Sequence, residues 1–263
     1  MLSFTVLYRS RRLIYLRDLV RALVARDMRV RYKGSALGIV WSLMNPLMQL
    51  VVFHFIFRVV LQLNIPRYSS FAFSGMLAWG WFQASLLDAS GSMLNSRELI
   101  KRPGFPVAIL PVVAVTTHLI YFLLALPILI LFLIIGGSGV KPMILTLPLV
   151  MAVQFALTLS LGYLAAIANV RFRDAHYLLG VSLQLLFFLT PVFYDASAVP
   201  QRYRALYQLN PMAHLVGAYR GVLIEGRAPD WFALLALAGL AAGLLYVGLR
   251  TFRRASYRFA EEV

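Results

Sequence analysis

Ten residues carry the densest chemistry in the chain: Arg26-Asp27-Met28-Arg29-Val30-Arg31-Tyr32-Lys33-Gly34-Ser35. Four cations and one aromatic ring stand here, just ahead of a long apolar run. Guanidinium forks take phosphate oxygens two at a time, and an ammonium adds a point charge. Arg29, Arg31, Tyr32 and Lys33 are therefore candidates for holding a lipid-borne pyrophosphate. The same residues equally suit a plain anchor on anionic headgroups, because cations gather where helices leave a membrane.

A second group lies inside apolar runs. Asn45, Pro46, Gln49, His54 and Arg58 interrupt one run, and Gln83 and Asp88 the next. Polar groups in such places normally face a bundle interior or a wet path. With the aromatic cluster Trp79, Trp81 and Phe82, the residues Asn45, Gln49, Gln83 and Asp88 are candidate linings of a channel that passes a sugar polymer, its pyranose faces sliding on aromatic rings. Interhelical hydrogen bonds and an interfacial aromatic belt explain the same residues. Asp88 reads as salt-bridged or pore-facing rather than as a proton relay, since no series of acids accompanies it.

Two hydrophilic stretches complete the inventory. Asn95 to Pro106 opens on Asn and Ser as possible caps, continues with a short amphipathic piece and stops at two prolines. It is suited to docking a soluble partner. Tyr194 to Asp230 is the longest insertion, and its apolar content argues for packing back on the membrane as a lid or gate, with Tyr194, Tyr203, Tyr207 and Asn210 as candidate gate residues. Enzyme signatures are missing from the sequence. There is no G-x-x-x-x-G-K-[ST] phosphate loop, so ATP hydrolysis is not expected of this chain. No H-E-x-x-H, G-x-S-x-G or G-x-G-x-x-G occurs, and no carboxylate pair stands at catalytic spacing. The four histidines are scattered and cysteine is absent, so no metal site is expected.

The elements that must position these groups are membrane helices. The 263 residues are 61% hydrophobic and 13% charged, against about 45–50% and about 25% in soluble domains. The expected fold is all-α with six spans: Ala36 to Leu63, Phe71 to Leu94, Pro106 to Ile135, Ile144 to Val170, Ala175 to Phe193 and Trp231 to Leu249. Residues 1–35 form an interface helix and basic entrance. Residues 36–250 form the transmembrane domain, and 251–263 a tail. Leu13, Leu16, Val20 and Leu23 make one helical stripe, so the first helix should lie in the interface, apolar side down. Leu206 to Leu223, broken by Asn210, Pro211, His214, Gly217 and Arg220, reads as a short re-entrant or surface hairpin.

Eighteen Lys and Arg fall before Ala36, in the loops after the second and fourth spans, and in the tail; seven fall near the other face. The positive-inside rule then puts both termini in the cytoplasm, which requires an even number of spans. The net charge of +15 is explained by topology, and nucleic acid is not an expected partner. The first thirty residues are too Arg-rich for a cleavable signal. Asp18, Asp27 and few serines argue against a transit peptide.

The order of these pieces resembles ABC-2 type polysaccharide permeases, in particular the Wzm-type O-antigen exporters. The resemblance begins at Arg26 to Trp41 and Asn45-Pro46-Leu47. It continues at Ile65-Pro66-Arg67-Tyr68, Gly75 to Trp79, Ile100 to Pro103 with Phe105-Pro106, and Arg171-Phe172-Arg173-Asp174. It returns at Thr190 to Tyr194, Asn210-Pro211-Met212 and Tyr257 to Glu261, so that it spans nearly the whole chain. It implies a homodimer in the inner membrane with two copies of a cytoplasmic ATPase subunit, ATP and Mg being bound there and no cofactor here. It implies movement of undecaprenyl-pyrophosphate-linked glycans outward through the dimer interface. Asn95, Arg97, Glu98, Lys101 and Arg102 would then belong to a coupling helix seated on the ATPase. Arg171, Arg173 and Asp174 would make a second contact, and Tyr194 to Asp230 the periplasmic gate. Capsule and teichoic-acid exporters share this plan. An exporter of drugs or lipids, or a membrane enzyme of glycolipid assembly, are the competing readings.

Overall fold

The computed structural model describes residues 2–35, 38, 40–62, 65–137, 139, 141–172 and 174–262, without the side chains of 2–10, 253 and 255–262. Every regular element among the described residues is helical, with no strand among them. In chain order the helices are α1 (Leu2–Tyr32), α2 (Val40–His54), α3 (Tyr68–Asn95), α4 (Arg97–Ile100), α5 (Ile109–Ile135), α6 (Leu147–Arg171), α7 (Ala175–Leu189), α8 (Arg204–Gln208), α9 (Pro211–Arg220) and α10 (Trp231–Glu262). Helix α2 continues through a π-helical segment, Phe55–Val60. A 3-10 turn, Pro142–Thr146, leads into α6.

Four segments are long and apolar enough to cross a membrane: Val40–Val60, Ile109–Ile135, Pro142–Arg171 and Trp231–Phe252. Two of the six expected spans fall outside that set, each for a physical reason. Helix α3 is long enough but carries six serines besides Gln83 and Asp88. It is the central helix, packed against α2, α5, α6, α7 and α9. A helix surrounded by helices needs small residues for close approach more than it needs lipid-soluble ones. Gly162 and Ala89 illustrate the closeness, a Cβ on Gly162 meeting that of Ala89 at 3.1 Å. Helix α7 has 15 residues, about 22 Å at 1.5 Å per residue. It stops at Leu189, short of the expected Phe193, because Thr190 is extended ahead of Pro191.

The bundle has two distinct ends. At one, α1 lies on α5, and Leu23, Met93, Ile100, Leu110 and Phe252 share a small core. Only the later part of the predicted α1 stripe is covered: Leu23 is buried, Leu16 and Val20 pack partly, and Leu13 is exposed. At the other end Arg67 donates to the Gly136 carbonyl at 3.1 Å, tying the start of α3 to the end of α5. Helix α9, the predicted hairpin, is drawn into the bundle, where Met212, Leu215, Val216 and Tyr219 join the main core. Asn210 and Pro211 break the preceding turn as expected and also start this helix: the Asn210 side chain accepts from the Met212 N–H at 3.0 Å, and Pro211 stands in the first turn. Helix α10 packs on α6 and continues unbroken into the segment assigned to the tail, as far as Glu262.

Candidate functional site

A cavity of about 910 Å³ opens among α2, α3, α5 and α7. Its walls hold Asn45 and Gln49 from α2, Trp79, Trp81 and Gln83 from α3, and Gln184 from α7, with Arg31 and Tyr32 at the end of α1 reaching it too. The two α2 amides are four residues apart and share a helical face, so one helix presents both. Trp79 donates its indole N–H to Gln83 Oε1 at 2.9 Å, again an i, i+4 pair. Trp81 touches the wall but turns its N–H to the Val115 carbonyl at 3.3 Å. Phe82 packs in the core against Trp79 and is not part of the wall.

Asp88 lies beside this cavity, not on its wall. Its Oδ2 accepts from Arg31 Nη2 at 2.9 Å and pairs with His118 Nε2 at 2.6 Å. The Arg31 guanidinium also stands 5.5 Å from the Tyr121 ring, on which Tyr32 rests edge-on at 6.2 Å. A second cavity of about 600 Å³ lies on the α1 side, between Arg26, Asp27, Val30 and Arg31 and the residues Asp88, Ser92 and Asn95. Arg31 borders both spaces. The Arg31 and Asp88 side chains are 45% and 46% exposed, so their pairing contributes at most about 1 kcal/mol. The other entrance cations differ in setting. Arg26 pairs with Asp27 at 2.9 Å, Arg29 donates to the Ala25 carbonyl at 3.2 Å, and Lys33 is exposed.

An aromatic path leaves the larger cavity. Ring centroids step from Trp79 to Phe187 (5.8 Å), Phe187 to Phe53 (6.2 Å), Phe53 to Phe193 (5.7 Å) and Phe193 to Tyr194 (5.0 Å). Tyr194 and Tyr207 then meet hydroxyl to hydroxyl at 2.6 Å. Burial first, and the Tyr207 hydroxyl second, push the Tyr194 phenol above its ordinary value. Tyr203 is exposed under the Arg202 guanidinium, 4.7 Å from its ring. Asn210 is buried and donates to Thr190 Oγ1 at 2.8 Å, joining the end of α7 to the start of α9. Phe53, Phe187 and Phe193 are not among the candidates that the sequence offers; the close spacing of Phe187, Phe188 and Phe193 around Thr190-Pro191 is the signal that points to them.

Arg220, read from the sequence as a break in the Leu206 to Leu223 segment and a cation of one face, has a further role that the spacing does not show. Arg220 is 7% exposed. It donates to the carbonyls of Pro191 and Val192, both at 2.6 Å, and twice to that of Phe71 at 3.3 Å. The guanidinium lies 3.4 Å from the Phe71 ring centroid. Five fixed N–H donors let one arginine satisfy carbonyls left over where α7 breaks. A cation inside Leu215 to Leu223 was the available signal.

At the opposite end, Arg97, Glu98, Lys101 and Arg102 are exposed, while Ile100 is buried. Helix α4 thus presents a charged outer face on an apolar foot. The Ser96 side chain makes no capping bond, against the expectation of a cap; the Ser96 carbonyl instead accepts from Leu99 and Ile100. Asn95 is exposed and borders the smaller cavity. Arg171 and Asp174 are exposed on either side of the turn between α6 and α7; Arg173 lies outside the described residues.

A bundle with four helices long and apolar enough to cross a membrane, around an amide- and aromatic-lined cavity with cations at its border, defines a polytopic membrane protein. The ABC-2 type transporter family model matches residues 18–224, which takes in the basic mouth, the cavity and the Arg220 clamp. The chain belongs to the ABC-2 type transporter family. It is similar to the O-antigen export system permease protein RfbA of Myxococcus xanthus, 35% identical over 255 residues, which are 96% of this chain and 98% of the relative. RfbA of Klebsiella pneumoniae is 30% identical over 249 residues, 94% and 95% of the two chains. More distant is the polysialic acid transport protein KpsM of Escherichia coli, 22% identical over 237 residues, 89% and 92%.

Proposed function

We propose that this chain is the permease subunit of an ATP-driven exporter of a lipid-pyrophosphate-linked polysaccharide of the O-antigen type. The observation that carries the reading is the cavity bordered by Arg31 and walled by Asn45, Gln49 and Trp79, from which a series of ring contacts runs to Tyr194 and Tyr207. Hydroxyl-rich pyranose edges find amide partners there, and their apolar faces find rings. Full-length similarity to permeases named for O-antigen export supports the polymer class.

In this reading six helices cross the inner membrane, α3 and α7 included, with both termini in the cytoplasm as the eighteen cations on that side favour. Two copies form the channel. The exposed apolar residues of α2 and α7, such as Val52, Phe55, Leu178 and Leu185, are the surfaces on offer for that contact. Two ATPase subunits dock under α4 and beside Arg171 and Asp174. The diphosphate engages Arg29, Arg31 and Lys33 and the glycan follows through the cavity. Residues 194–230 close the far end.

Mass spectrometry of lipid that co-purifies with the intact complex tests this directly. A polyprenyl diphosphate bearing sugar is the expected species. Recovery of a drug-like or simple phospholipid cargo alone would overturn the polymer assignment in favour of a different ABC-2 substrate.

A further inference from the structure

We propose that Asp88 is an internal occupant of the anion site: its carboxylate holds Arg31 until a diphosphate headgroup displaces it. The inference deepens the export reading and rests on the basic segment being a lipid-diphosphate entrance. Three features of the geometry carry it. Arg31 borders both cavities, and its partner Asp88 closes the gap beside it at 2.9 Å, so the ion pair stands between the two spaces. Both side chains are about half exposed, so water and anions reach the pair and separating it costs little. Asp88 also has a second partner that stays behind. His118 Nε2 lies 2.6 Å from the same oxygen, and its side chain is 7% exposed on α5.

Release of Arg31 therefore does not strand a carboxylate. Asp88 keeps His118, and Arg31 keeps the face of Tyr121 as it turns. A diphosphate offers more charge and more acceptor oxygens than one carboxylate, so it wins the exchange through a bidentate guanidinium contact. A monoanionic phospholipid has much less advantage over Asp88. The residue thus screens the entrance against ordinary anionic headgroups as well as keeping it shut. Exchange also removes the ion pair that links α1 to α3 at the border of the two cavities.

The test is a double-mutant cycle on the full-length chain in phosphatidylcholine nanodiscs, with binding of geranyl diphosphate and of inorganic pyrophosphate measured for each variant. Asp88→Asn keeps shape and hydrogen bonding but removes the competing charge. It should tighten both ligands about twofold to fivefold. Arg31→Gln should weaken both. In the Arg31→Gln background, Asp88→Asn should have almost no effect, because Asp88 acts through Arg31; a purely structural role would give additive changes instead. Asp88→Ser, with thermal unfolding of each variant, controls for misfolding. Weaker or unchanged binding in Asp88→Asn, or an equal gain without Arg31, overturns the proposal while leaving the entrance reading intact. Wild-type protein that binds neither diphosphate overturns both. Unchanged affinity for both diphosphates in Asp88→Asn, with tighter binding of phosphatidylglycerol vesicles by the same variant, overturns the proposal in favour of a lipid anchor.

Discussion

Gly75 and the Arg220 guanidinium occupy the same few ångströms: a Cβ built on Gly75 would stand 2.9 Å from Arg220 Nη2 and 2.8 Å from the Val192 carbonyl oxygen that this nitrogen holds. The glycine on α3 exists so that α9 can fasten the broken end of α7. Neither neighbour is a flexible tip, since one is backbone and the other is fixed by its hydrogen bonds. Gly75→Ala should therefore destabilise the protein by about 1–3 kcal/mol through overpacking. Arg220→Met should cost more, because each carbonyl it leaves unpaired costs about 1–3 kcal/mol. Arg220→Lys cannot rescue it, as one ammonium cannot reach the carbonyls of Phe71, Pro191 and Val192 in fork geometry. Thermal unfolding of the purified chain in detergent checks the ranking, and equal melting temperatures for wild type and Arg220→Met would contradict it.

This clamp marks the boundary of what the chain discloses by itself. Apolar length and cation placement make the all-helical membrane class legible, because the bilayer imposes them residue by residue. The face shared by Asn45 and Gln49 is equally legible, since helical periodicity is local. The partner of Asp88 was not. Arg31 is 57 positions away, and nothing in the spacing of either residue announces the other. Burial of Arg220 is hidden for the same reason. Its acceptors lie 28, 29 and 149 positions off in sequence, and it replaces the usual carboxylate partner with carbonyls that every residue carries. Phe82 shows the opposite limit: its neighbours Trp79 and Trp81 touch the cavity, but the helical turn carries Phe82 into the core.

Charge reversal at the basic mouth separates transport from topology. Arg29→Glu with Arg31→Glu should lower polysaccharide export by at least about tenfold, since a charge-assisted contact to phosphate contributes about 1.5–3 kcal/mol. Seven other cations remain before Ala36, enough to keep the positive-inside bias, so insertion should be unchanged. Surface O-antigen on blots reports export, and protease accessibility of a C-terminal tag reports orientation. Normal export by a correctly inserted double variant would remove the entrance role from these two residues.

The aromatic path predicts a length-dependent defect. Phe193 contacts Phe53 at 5.7 Å, Phe57 at 4.9 Å and Phe187 at 5.7 Å, so it is the hub between the cavity and Tyr194. Phe193→Leu keeps most of the bulk but removes the ring. If sugars slide on that surface, export of long polymers should fall several-fold while ATP hydrolysis by the assembled complex continues, because each lost ring contact contributes about 0.5–1.5 kcal/mol. Gel analysis of exported chain length beside phosphate release by the complex makes the distinction. A parallel fall in both would assign Phe193 to packing rather than to the path.

Asn210 performs two tasks that one substitution can pull apart. Its carbonyl oxygen caps α9 by accepting from the Met212 N–H at 3.0 Å, while its amide donates to Thr190 Oγ1 at 2.8 Å and ties α9 to the end of α7. Asn210→Ala loses both, and the cap alone accounts for about 1 kcal/mol. Asn210→Asp retains an acceptor at the helix start, where negative charge is favourable, but has no N–H to give Thr190. The two variants should therefore differ in where the far end loosens. In Asn210→Ala, amide exchange should quicken both at residues 211–214 and across residues 190–195. In Asn210→Asp, the start of α9 should keep its protection while residues 190–195 exchange faster, at a free-energy cost near that of one buried hydrogen bond, about 1 kcal/mol. Hydrogen–deuterium exchange of the full-length chain in nanodiscs resolves the two segments. Faster exchange at residues 211–214 in both variants would mean that the amide bridge, and not the cap, is what holds α9 in place.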